Sequence, residues 1–229
     1  LSASEIYKDL KMGNHEIRIV KVVDANGCVN ENMLSSVTTL QLSVVEAPKI
    51  HLLDSTSDYC VGDYVSYQLN GVPPYQIGYE FNGIQLKFTE KSSQFVRYAS
   101  EPGVISIRTL QDAASKCVVD FQKPGLATEH EKLSLIIHPI PSVTVSQGKY
   151  TVADIHEGDQ VEVIFSFEGT PPFSLTYIRA EDPTVNGKQQ VIETHKITDI
   201  YEYEYRVVTS LQGTYEAIEV ADAHCFAKN

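Results

Sequence analysis

Four cysteines, seven histidines and thirty carboxylates are the side chains of this 229-residue sequence with chemistry to offer. The histidines stand at 15, 51, 130, 138, 156, 195 and 224, and no two have HxxxH or similar spacing. Cys28, Cys60, Cys117 and Cys225 form no CxxC. The close-set ligand pairs from which zinc sites are usually built are therefore absent. Neither a GxSxG nucleophile turn nor a phosphate-binding glycine loop is present. Calcium asks for six to eight oxygens, several from neighbouring carboxylates. Here Asp24, Asp54 with Asp58, Asp63, Asp112, Asp159 and Asp222 fall almost singly near strand ends, the pattern of side chains that accept turn amides. The sequence predicts no enzyme, no cofactor and no metal site. Three of the four cysteines close the same repeated phrase, which predicts structural use in an oxidising compartment.

The formal charge of -12 comes from 30 acidic and 18 basic residues, with the basic ones scattered, so no stripe exists for phosphates. Nucleic acid is excluded as a partner. No run approaches the roughly 18 apolar residues of a membrane span, so membrane attachment falls to a segment outside this stretch. No signal peptide is read at the start, in keeping with an internal segment. The sequence has no Asn-X-Ser/Thr acceptor, and Asn26-Gly27-Cys28 is a weak substitute.

What positions these residues is a repeat. GVPPYQIGY at Gly71 to Tyr79 returns as GTPPFSLTY at Gly169 to Tyr177, 98 residues later (169 − 71). Gly62-Asp63 returns as Gly158-Asp159. The stretch GVISIRTLQDAASKC, Gly103 to Cys117, returns as GTYEAIEVADAHC, Gly213 to Cys225, and a third version, GNHEIRIVKVVDANGC, runs from Gly13 to Cys28. Repetition at this period means a string of like units. Thirteen Tyr, eight Phe and many Val, Ile and Thr without helical periodicity predict strands.

Within the full copy the pattern predicts strands at Lys49 to Asp54, Asp63 to Leu69, Tyr75 to Phe81, Ile84 to Thr89, Gln94 to Tyr98, Val104 to Leu110 and Leu133 to Ile137. Asn82-Gly83 is a two-residue hairpin signal, both positions taking positive φ. Pro73-Pro74, and Pro171-Pro172 in the next copy, lack ladder donors and mark the crossing between two sheets. In Val104 to Leu110, Val104, Ser106 and Arg108 are expected opposite Ile105, Ile107 and Thr109. Seven short strands in one repeat fit an immunoglobulin-like sandwich. LQLSVVEAPKI (Leu40 to Ile50) aligns with LSLIIHPIPSV (Leu133 to Val143), so each unit ends in an apolar strand running into a proline. The division is 1–47, the C-terminal part of one repeat with a strand at Glu5 to Leu10; 48–140, a complete repeat; and 141–229, a repeat lacking its last strand. The fold class is all-β, tandem immunoglobulin-like sandwiches in an extended, semi-rigid string. Tyr201, Tyr203 and Tyr205 in YEYEYR read as the packed face of a strand, with an exposed contact surface as the alternative. Asp182-Pro183 to Asn186-Gly187 is a long loop and a recognition candidate.

These phrases, the GxPP-aromatic crossing and the strand that closes in Asp-Ala before a cysteine, resemble the Ig-like repeats in the lumenal part of the fungal pore-membrane nucleoporin. The resemblance covers nearly the whole chain. It implies a structural segment of the nuclear pore complex membrane ring, a rod on the perinuclear side of the pore membrane. Self-association and other membrane-ring nucleoporins would be its partners. Bacterial gliding-motility adhesin repeats share GxPPY and VxDANGC, so a cell-surface binding module is the alternative. The absence of Trp and the strong divergence between copies favour the nucleoporin.

The cysteines are then placed by topology. In an Ig sandwich the strand from Asp63 and the strand from Gly103 run the same way in facing sheets, which sets Cys60 and Cys117 at opposite poles, about 30 Å apart. A disulfide spans at most about 7 Å between Cα atoms. Cys60 is therefore expected to pair with Cys225 of the next unit, with Cys60–Cys117 within the unit as the alternative. By the same rule Cys28 and Cys117 reach upstream, and His156 stands where the last unit would carry its own Cys60.

Overall fold

The computed structural model describes residues 10–32, 34–54, 56, 58–115, 118–123, 133–147, 156, 158–181 and 190–228. Cys117, the Asp182 to Gly187 loop and most of the Glu5 to Leu10 strand lie outside them. The described structure is nearly all strand, with one helical turn at Ser35–Thr38.

At the start, β1 (Gly13–Arg18) pairs antiparallel with β4 (Thr39–Val44), and β2 (Val22–Val23) with β3 (Val29–Asn30). Val20, Val22, Val23, Val29 and Leu40 are all about half exposed or more.

The next unit is a two-sheet sandwich. One sheet has the order β10 (Gln94–Tyr98), β7 (Tyr64–Asn70), β5 (Lys49–Leu52). The other runs β6 (Asp58–Cys60), β13 (Ser134–His138), β11 (Gly103–Gln111), β8 (Tyr75–Phe81), β9 (Ile84–Glu90), with β12 (Val118–Asp120) also on β11. Alternation decides the faces: Val65, Tyr67 and Leu69 of β7 and Tyr75, Ile77 and Tyr79 of β8 are buried against Phe95, Leu110 and Leu135. Full burial of one such side chain is worth about 1.5–3 kcal/mol, so this face sets the register. The hairpin turn holds Asn82 at φ 49° and Gly83 at φ 83°, joining Phe81 to Ile84 as its sequence requires.

Three features differ from the sequence reading, the first being β12, a short strand that it does not assign. Asp58–Cys60 is itself a strand, parallel to β13, with His138 opposite Cys60; three residues are too few to show a period. In β11 a bulge at Arg108 shifts the alternation, so Leu110 faces the core and Thr109 does not share the face of Ile105 and Ile107.

The last unit repeats the plan. β14 (Ser142–Ser146), β15 (Val161–Glu168) and β18 (Glu204–Thr209) form one sheet, and β17 (Val191–Ile200), β16 (Phe173–Ala180), β19 (Thr214–Ala221) and β20 (Phe226–Lys228) the other. Phe165, Phe167, Phe173 and Leu175 fill its core. The bulge recurs at Ile218, 110 positions after Arg108 (218 − 108). β20 pairs with Glu219–Ala221 as β12 does with Thr109–Gln111, so the chain holds one more short strand beyond Cys225 than the sequence reading assigns. The tyrosines of YEYEYR are not one packed face: Tyr201 and Tyr203 precede β18 and are 65% and 56% exposed, Tyr203 meeting the core ring of Phe173 edge-on with centroids 5.7 Å apart, and Tyr205 packs against the core. The reason is local, since Asp199 takes φ 59° and the chain bends before the strand resumes.

Candidate functional site at the joint between the sandwiches

The two halves of the repeated phrase hold each other. The chain crosses between sheets at Gly71 to Pro74, and again at Gly169 to Pro172, with both Pro-Pro bonds cis. Asp112 Oδ2 accepts the Val72 N–H at 2.9 Å, while its Oδ1 accepts from the Ser115 N–H and hydroxyl. Asp222 does the same one unit later: Oδ2 accepts from Thr170 N–H, and Oδ1 from His224 and Cys225 N–H. Ala113 and Ala223 N–H donate to the Val72 and Thr170 carbonyls, each at 2.9 Å. Burial pushes both carboxyls up, but these hydrogen bonds together outweigh it and hold them below the ordinary Asp range. A side chain at Gly71, whose φ is +140°, would meet Asp112 Oδ2 at 2.9 Å. Gly, Pro-Pro and Asp-Ala thus travel together because one hydrogen-bonded corner needs all of them. Asp24 has the same habit, accepting Asn26 and Cys28 N–H, and Asp63 accepts Cys60 N–H.

The corner at Asp222 carries Cys225 to the joint. Only Pro139, Ile140 and Pro141 separate β13 from β14, and Pro141 is buried, as is Pro48 at the aligned position. Cys60 and Cys225 are bonded there, with Cα atoms 5.8 Å apart and a sequence separation of 165. Cys28 is free and exposed. Around the bridge, the His224 carbonyl oxygen lies 3.6 Å from Cys60 Sγ, and the His138 and His224 rings stack with centroids 3.7 Å apart and planes 5° off parallel. His138 Nε2 is 2.8 Å from Asp58 Oδ1. His156 occupies the position of Cys60 in the matching turn: Asp159 N–H donates to its carbonyl at 3.0 Å, as Asp63 N–H does to that of Cys60.

Spacing along the chain hid the meeting of Asp58, His138 and His224, because two sandwiches contribute to it. Its one legible signal was the prediction that Cys60 and Cys225 meet, since His224 adjoins one cysteine and Asp58 lies two residues from the other.

Residues 48–123 match the model of the Nucleoporin pom152-like family, ninth immunoglobulin-like domain. Over 231 aligned residues, the whole of this chain, the sequence is 64% identical to Nucleoporin POM152 of Saccharomyces cerevisiae. The chain is homologous to the Pom152 nucleoporins. Nucleoporin pom152 of Schizosaccharomyces pombe is 38% identical over 95% of the chain. The chain spans 17% of the length of each of these two Pom152 relatives. Among solved structures, a chimeric titin Z1Z2-Z1Z2 tandem is similar at 10% identity with a TM-score of 0.26, covering 79% of this chain and 94% of that one.

Proposed function

We propose that this chain is a non-catalytic scaffold segment of the nuclear pore complex membrane ring. It is a lumenal rod of Ig-like units, divided at 1–47, 48–140 and 141–229, that supports self-association and pore anchoring in the parent protein. The observation that carries the reading is the 64% identity to Nucleoporin POM152 across the whole chain. The short proline linker and the contacts around Cys60 and Cys225 support it, because they limit bending where a scaffold needs a defined angle. Within this reading Cys28 and Cys117 bond to the units before them, and His156 marks a joint without a bridge.

The lumenal placement has a direct test in the full-length parent protein. Cys28→Thr turns the exposed Asn26-Gly27 turn into an N-glycosylation acceptor, which is modified only on the lumenal side. A mobility shift removed by endoglycosidase is expected. An unshifted protein that still assembles into pores would overturn the placement.

A further inference from the structure

Asp58, His138 and His224 each present one ligand atom, and these atoms lie within 4.8 Å of one another. We propose that they form a divalent-cation site of the zinc class that spans the joint, beyond the scaffold role itself.

Two imidazoles and one carboxylate suit a borderline ion such as Zn2+, with a fourth, tetrahedral position left to water. The three groups come from different elements, yet all are placed by one feature. Asp58 lies on β6 two residues before Cys60, His138 lies opposite Cys60 in the β6–β13 pairing, and His224 directly precedes Cys225. The bridge therefore fixes the backbones of all three, the preorganisation a weakly built site needs. Asp58 already orients His138 through the 2.8 Å contact, and its side chain is 52% exposed, so an ion can reach it from solvent. Parallel rings point their nitrogens along parallel lines, so cation binding turns the His224 ring about χ2 and breaks the stack. The ion then replaces a ring contact with a metal link between the two sandwiches.

The test uses the oxidised 229-residue chain in non-reducing buffer, in a Cys28→Ser, Cys117→Ser background that removes both cysteines outside the Cys60–Cys225 bridge as competing ligands. Titration with ZnCl2 by calorimetry is expected to show one equivalent bound. His224→Ala and His138→Ala should each weaken it at least tenfold, and His156→Ala should leave it unchanged. Histidine side-chain NMR should show two imidazoles shifting together with the zinc added. His224 is exposed at a chain corner, so its variant remains folded and the comparison stays interpretable. Lack of saturable binding, or affinity unaltered in His224→Ala, would overturn the proposal. Either result leaves the scaffold reading standing, because that reading does not require an ion.

Discussion

Asp112 supplies the side-chain acceptors of the corner of the first sandwich. It is 4% exposed and accepts from two backbone N–H groups and one hydroxyl. Asp112→Ala strands those donors, and a buried donor left unpaired costs about 1–3 kcal/mol. A urea midpoint shift of that order in this unit, with the other unit's midpoint unchanged, is the expected outcome. The pH dependence follows from the same contacts. Because the folded carboxyl titrates below the ordinary value of about 3.9, its contribution is complete above that pH and is lost as pH falls through the folded value. Asp112→Asn should therefore flatten the acid limb of the stability curve. Tyr67 offers the opposite case: it is fully buried and its hydroxyl has no hydrogen-bond partner among the described residues. Tyr67→Phe removes an unpaired polar atom and keeps the ring stacked on Phe95, so stability should stay level or rise by up to about 1 kcal/mol.

Among elements, β11 shows both how far the sequence reading reached and where it stopped. Period-2 alternation located β7, β8, β10 and the Asn82-Gly83 hairpin within a residue or two, because each has one face in the core and a turn that only certain residues can make. A bulge has no such mark. Arg108 interrupts β11 and Ile218 interrupts β19 at matching places, yet the two residues share neither size nor polarity. Leu110→Ala should therefore cost about 2–5 kcal/mol, as a core truncation does. Val104→Ala, at a position 44% exposed on the same strand, should stay within about 0.5 kcal/mol. Urea denaturation of the two variants reads the difference. Strand β6 escaped notice for its length, and the cluster of Asp58, His138 and His224 because its members lie 80 and 86 positions apart (138 − 58, 224 − 138). The tyrosines at 201 and 203 misled in the other sense: alternation is necessary for a packed strand face, but a bend at the same residues removes it.

At the scale of the whole molecule, angle and stability are held by different things. Each sandwich has its own core, whereas the joint, among the described residues, has a three-residue linker, one bridge and one ring stack. Flexible glycines inserted at Pro139 to Pro141 should widen the distribution of distances between spin labels on the two units only modestly while the bridge is intact. The same insertion with Cys225→Ser should widen it far more than either change alone, with each unit's melting little altered. Additive effects would mean that the bridge and the linker do not share the task.

The two sandwiches are tied to each other through Cys60 and Cys225. Peptide mapping of the non-reduced chain checks this bridge. A linked pair of peptides containing Cys60 and Cys225 is expected, with Cys117 free or joined to an earlier unit of the parent protein. A linked pair containing Cys60 and Cys117 would contradict it.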